Sequence, residues 1–235
     1  MTDNFSNKSK LFFDEIKSDN IDNYKNKQNS LYNIITKHGY RVFELSKETK
    51  DLMKNYGLYN IYRELFKKSK ILNKLIKSYD FENDKEIYSE SRFHKTFHRL
   101  ENLKALFKED HEVYKIVVAI INDIKQIYDV KDWVTITINF LISFGKKKGD
   151  IQDYHTDYDY IPNNSPFKTN NNYPFSIIVT MFEFSYFRFL MNSHKKFTDN
   201  KSGKLDPTAE FHEKILKLKF GQFIIFHPNL IHSGI

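Results

Sequence analysis

Residues 221–235 read GQFIIFHPNLIHSGI. A glycine opens the segment and a strongly apolar phenylalanine and isoleucine body follows. Pro228 and Asn229 then mark a turn before His232-Ser-Gly. Phenylalanine and isoleucine fit the pleated, half-buried surface of a sheet, and the Pro–Asn pair punctuates the chain. The segment therefore predicts a β-strand, a tight turn and a histidine delivered just past it. In an antiparallel barrel such a residue points into the mouth, where a functional side chain would be presented. His227, five residues earlier, is the rival and is expected as an exposed turn residue before Pro228. The Ser-Gly that follows favours His232.

Working back from this segment, the second half of the chain is rich in β-branched and aromatic runs: WVTITINFLISF, PFSIIVTMFEF, SYFRFLMN and ILKLKF. Strands in sequence without crossover helices predict antiparallel pairing, a sandwich or barrel. Two polar loops, 158–173 and 193–209, separate some of them and read either as substrate lids or as polar insertions without a role. The first half has helical spacing instead. SLYNIITKHG ends on Gly39, a helix stop. YRVFEL reads as a short strand, and SKETKDLMKNYG opens on a Ser46 cap with an acid close behind. The helical pattern continues through LYNIYRELFKKSKILNKLIKSY. Residues 80–99 read as a short strand or loop. The stretch from Leu100 predicts one or two helices, with Leu103, Leu106, Val113, Ile116, Val117 and Ile120 along one side. The expected organisation is a polar arm over 1–29 and one domain over 30–235. Within it, 30–130 form a mainly helical layer and 131–235 a β-rich core.

A second stretch, IQDYHTDYDY at 151–160, carries three acids, one histidine and three tyrosines. In extended chain, side chains alternate with period two, so His155 and Asp157 fall on one face. An imidazole and a carboxylate together are part of a metal site. A further histidine would complete a 2-His-1-carboxylate set with coordination positions left open. His232 lies 77 positions after His155 (232 − 155), room enough for the intervening strands. Asp153 and Asp159 lack the His-x-Asp spacing and read as solvated loop charge. Taken alone, His155-Thr-Asp157 also fits a polar strand end. His94 and His98 would share a helix face at i, i+4, but no third ligand accompanies them, so surface or packing roles are expected. Trp133 is expected as a core anchor.

Composition bounds the alternatives. The 235 residues contain 40% hydrophobic residues and no cysteine, which removes disulfides, thiolate metal sites and cysteine nucleophiles. No signal peptide and no bilayer-spanning run is visible, so a cytoplasmic location is expected. The net charge of +7 and pI near 9.2 come from scattered lysines. A nucleic-acid partner is therefore kept as an alternative and not favoured.

GDIQDYHTDY together with LKFGQFIIFHPNLIHSG resembles the iron(II)/2-oxoglutarate-dependent oxygenases, nearest the phytanoyl-CoA-hydroxylase-like branch. HGYRVFELS also looks like an early strand of those proteins. The resemblance implies an α+β protein with a double-stranded β-helix of jelly-roll type behind a helical N-terminal layer. It implies that His155, Asp157 and His232 hold Fe(II) as the catalytic triad. It also implies 2-oxoglutarate and O₂ as cosubstrates, succinate and CO₂ as products, and hydroxylation of a substrate. The family usually carries a basic residue about ten positions past the distal histidine to hold the cosubstrate's far carboxylate, whereas this sequence ends at Ile235. A chain lacking its last strand, or an anchor from elsewhere, is the expectation; Arg188 in SYFRFLMN is the candidate, the alternative being an Arg188 on the solvent face or stacked on Tyr186. Ser176 and Thr180, on one face of their strand, are candidates to bond the cosubstrate. A metal-binding or degenerate barrel of the same fold without turnover is the alternative function.

Overall fold

The computed structural model describes residues 19–20, 35, 37–66, 92–97, 100–127, 138–143, 154–157, 175–196 and 210–234. The helical turn expected in SKLFFDEI, Trp133, His98, Asp153 and Asp159 lie outside them, as do the loop at 158–173 and most of that at 193–209.

The apolar run at the end of the chain explains the layering. Strand β8 (Gln222–Phe226) is buried at all five positions, as a central strand covered on both faces must be. It lies between β2 (Tyr40–Glu44) and β5 (Ser176–Val179), both antiparallel to it, in a four-stranded sheet of order β1-β2-β8-β5. β1 (Asp19–Asn20) is a two-residue parallel addition at the edge. Side-chain alternation divides the strand between two cores. Phe223 and Ile225 face helices, packing in one cluster with Phe43, Met53, Val113, Ile116 and Ile120. Ile224 and Phe226 face a second sheet and pack with Val42, Phe187, Phe189, Leu216 and Leu218.

That second sheet has the order β7-β6-β9, with β6 (Phe184–Leu190) antiparallel to both β7 (Glu213–Lys219) and β9 (His232–Gly234). The connections β5 to β6, β7 to β8 and β8 to β9 each pass from one sheet to the other. The β7–β8 corner is tight. Gly221, at φ 75°, donates its N–H to Thr180 O, and Gln222 Oε1 accepts the Lys219 N–H at 2.8 Å. β3 (Arg92–Phe97) and β4 (Ile138–Ser143) form a separate antiparallel pair. All pairings among the described strands of the second half are antiparallel, as expected, and these strands close no barrel.

The helices are α1 (Lys47–Tyr56), α2 (Leu58–Phe66), α3 (Leu100–Leu106) and α4 (Glu112–Ile127). Ser46 caps α1, accepting the Thr49 N–H at 3.2 Å, while its own N–H goes to Asp123 Oδ2 at 2.8 Å, which ties the start of α1 to α4. α4 buries Val113, Ile116, Val117, Ile120, Ile121, Ile124 and Ile127 at the spacing of a single helical face. No helix among the described residues is long and apolar enough to cross a membrane.

Several sequence expectations need correction. Leu106 is exposed, and Phe107 takes the buried place just past the helix. The expected strand PFSIIVTMFEF is broken at residues 180–183, because the chain changes sheets there. The stretch expected as a short strand or loop is a strand over Arg92–Phe97, which holds His94. YRVFEL is the strand expected, and it lies at the centre of the main sheet beside β8.

Candidate metal centre

The site is built where the second sheet meets the segment 154–157. His155 and His232 form a single antiparallel bridge in which the His155 N–H donates to His232 O and the His232 N–H to His155 O, both at 2.9 Å. Directly bridged residues project to the same side, and the two imidazole centroids are 4.5 Å apart. Period-two alternation then returns Asp157 to the face of His155. Asp157 Oδ1 lies 3.4 Å from His232 Nε2 and 3.9 Å from His155 Nε2. One ligand atom from each of the three residues falls within 4.8 Å of the others, and the group could hold a metal ion.

His232 is the most buried of the three, with only 5% of its side chain exposed, against 34% for His155 and 36% for Asp157. Phe187 of β6 and Phe226 of β8 flank its ring at 5.3 and 4.7 Å between centroids. The open side of the site is thus the His155–Asp157 side. His232 Nδ1 lies 2.9 Å from Leu230 O. A carbonyl can only accept, which assigns the proton to Nδ1 and leaves the lone pair of Nε2 facing Asp157. In the neutral ring both facing atoms carry lone pairs, the donor arrangement that a metal ion between them would use.

Burial acts to raise the Asp157 carboxyl. The bond to His232, the charges of His232 and His155 and the Ser176 hydroxyl outweigh it and hold the group below the usual carboxylate range. Its anionic form, the one a metal needs, is the favoured one.

The segment leading to His232 is braced by buried polar groups. Ser193 Oγ accepts the Ile231 N–H at 2.9 Å, the Leu230 N–H donates to His227 O, and the Asn229 N–H donates to His227 Nδ1 at 3.1 Å. His227 is therefore not an exposed turn residue: it is buried, its ring 5.0 Å from that of buried His194. The Ser193–Lys195 turn at the start of the expected lid is likewise packed inward, with Ser193 and His194 buried. His194 leaves no room for a side chain at Gly39, where a Cβ would lie 2.8 Å from His194 Nδ1.

The remaining sequence candidates separate. Ser176 is brought to the triad through its hydroxyl bond to Asp157. Thr180 is not: it is buried at the β5–β6 corner, with its Oγ1 2.7 Å from Ser185 Oγ. Arg188 is not brought to it either. In the register of β6 and β9, Phe189 lies opposite His232 and Arg188 opposite Ser233. Phe187 and Phe189 pack between the sheets, so Arg188 lies on the outer face. There its Nη2 donates to Ser233 Oγ at 3.1 Å, its Nη1 lies 3.5 Å from Glu213 Oε2, and its guanidinium stacks 4.3 Å from the Tyr154 ring centre. The Tyr154 hydroxyl donates to Glu213. Burial, followed by that bond to a carboxylate, pushes the phenol well above the ordinary tyrosine value.

Sequence reasoning missed Lys214. It pairs with Phe189 from the β7 side as His232 does from the β9 side, and it shares the alternation of the inward residues Leu216 and Leu218. Two strand spacings, roughly 10 Å, separate Lys214 from His232 on that face. The alternation in EKILKLK was the available signal, but it takes the register with β6 to relate it to His232.

Comparison with protein-family models, with curated proteins and with solved structures found no match.

Proposed function

We propose that the chain is a mononuclear non-haem iron(II) oxygenase on a double-stranded β-helix, with 2-oxoglutarate and O₂ as cosubstrates. The observation that carries the reading is the convergence of His155, Asp157 and His232 within 4.8 Å. Two imidazoles and one carboxylate form the donor set that suits iron(II) while leaving coordination positions open. The crossings of the chain between the two sheets at β5–β6, β7–β8 and β8–β9 support the jelly-roll reading.

In this reading His232 is the fixed ligand, oriented by the Leu230 carbonyl and walled by Phe187 and Phe226, which keep water from that side. His155 and Asp157 form the open side through which substrate and O₂ approach. When bound, iron(II) with 2-oxoglutarate and O₂ supplies the oxidising chemistry that hydroxylates an unactivated C–H bond. Lys214, on the triad's side of the second sheet, replaces Arg188 as the candidate partner for the cosubstrate's far carboxylate.

The second reading is a metal-binding module without turnover, and one placement favours it: Arg188, the expected anchor, lies on the outer face. Anaerobic titration with Fe(II) and 2-oxoglutarate separates the two. The oxygenase reading expects the weak visible metal-to-ligand charge-transfer band in the wild type and its loss in His155→Ala. Metal binding without the band selects the second reading. No metal binding by the wild type overturns both.

A further inference from the structure

We infer that Ser176 is a positioning residue for the Asp157 carboxylate, holding it in the orientation that makes the triad a three-point metal site. The inference rests on the proposed metal centre and assigns the hydroxyl a task different from binding cosubstrate.

The two histidines and the aspartate are not fixed by equivalent means. His155 and His232 are held through their backbones by the paired hydrogen bonds of the bridge. His232 is further set by the Leu230 carbonyl and by two flanking aromatic rings. Asp157 has none of these supports. It lies two residues beyond the bridge, in a bend, and more than a third of its side chain is open to solvent. Sheet alternation sends its side chain to the correct face, but alternation does not fix the rotation of the carboxylate about its own bond. Something on the far side of the site has to do so.

Ser176 is placed to do it. It is the first residue of β5, in the opposite sheet, buried, and directly across from Phe226 in the β5–β8 ladder. Phe226 is the ring that flanks His232. The Ser176 side chain therefore leaves the main sheet beside the wall of the metal centre, where its hydroxyl bonds to the Asp157 carboxylate. That bond also ties the 154–157 segment to the main sheet at the open end of the site. Asp157 Oδ1 faces both imidazole nitrogens. A hydroxyl donor on the carboxylate opposes a swing toward solvent or toward two-oxygen coordination, which would take up a position the chemistry needs open. Hydrogen-bonded ligand carboxylates of this kind commonly govern metal affinity by about ten- to a hundredfold.

The test uses the full chain and cobalt(II), a redox-quiet probe whose visible bands report coordination. Affinity by calorimetry and the cobalt spectrum are measured for the wild type, Ser176→Ala, Ser176→Thr and Thr180→Val. Thr180 lies on the same side of the chain and its hydroxyl bonds to Ser185, away from the triad. Ser176→Ala is expected to weaken cobalt binding by about tenfold or more and to change the spectrum. Ser176→Thr, which keeps a hydroxyl, should recover most of the affinity, and Thr180→Val should lower the melting temperature without changing affinity. Ser176→Ala binding with wild-type affinity and spectrum overturns the inference while leaving the metal centre standing. Equal affinity losses in Ser176→Ala and Thr180→Val also overturn it, since they mark a general loosening of β5. If Ser176→Ala fails to fold, Ser176→Thr decides: wild-type-like cobalt binding supports the role, and weak binding with an unchanged melting temperature overturns it. Failure of the wild type to bind cobalt removes the metal centre itself.

Discussion

His155 and His232 exchange both backbone hydrogen bonds at 2.9 Å, so two residues 77 positions apart (232 − 155) present their imidazoles side by side from paired segments of chain. The sheet ladder itself assembles two-thirds of the triad. Because the third member depends on side-chain parity, the site is sensitive to a shift of one residue.

That sensitivity gives the first prediction. The double variant Thr156→Asp with Asp157→Thr keeps composition and charge but moves the carboxylate to the other face of the segment. Cobalt or iron binding should fall to the level of Asp157→Ala. Retention of wild-type affinity in the swapped protein would show that Asp157 is not a ligand.

Arg188 and Lys214 should behave oppositely. Arg188→Ala should leave metal and 2-oxoglutarate affinity within a few-fold of wild type and cost about 1–3 kcal/mol in urea unfolding, from the bonds lost to Ser233 and Glu213. Lys214→Ala should leave metal affinity intact and weaken 2-oxoglutarate binding to the metal-loaded protein by roughly ten- to a hundredfold, the loss of one charge-assisted hydrogen bond. The reverse pattern would return the anchor to Arg188.

Gly39 sits at φ 86°, and its N–H closes the preceding helical turn on Ile35 O at 2.8 Å. Gly39→Ala should destabilise the protein by at least about 1–2 kcal/mol from the left-handed backbone alone, with the contact to His194 adding to it. His194→Ala in the same background should recover the contact contribution and not the backbone one. Unchanged urea midpoints in Gly39→Ala would contradict both.

The Asp157 carboxyl has a folded-state value below its unfolded one, despite burial acting the other way. Its contribution to stability is therefore fully present above the unfolded value of about 3.9 and is lost as pH falls through the lower folded value. In metal-free protein, the stability difference between wild type and Asp157→Asn should narrow on acidification below about pH 4. Parallel profiles from pH 7 to pH 3 would contradict the favourable placement of this carboxylate.

What could be read from the sequence follows from how local each feature is. The strands around Ile177, Arg188, Leu216 and Ile224 were visible as β-branched and aromatic runs, because side-chain fit to a pleated surface is a property of a few consecutive residues. The His-x-Asp parity is equally local. The end of PFSIIVTMFEF was misread because the chain turns between sheets at residues 180–183 without a glycine or proline to mark the corner. His227 was misread because its setting, against His194 and under the turn at Asn229, is made by chain segments more than thirty residues apart.

The sequence by itself determined that QFIIF is a strand apolar on both faces, that Gly39 ends a helical turn, and that His155 and Asp157 point the same way. Each is a matter of local backbone geometry and a repeat of two or a few residues. Only the tertiary structure decided that β2 lies beside β8, that His232 meets His155, that Arg188 faces outward and that Ser176 reaches Asp157. Those depend on strand order and register, which are set by burial of two whole cores, and no window of neighbouring residues contains that information.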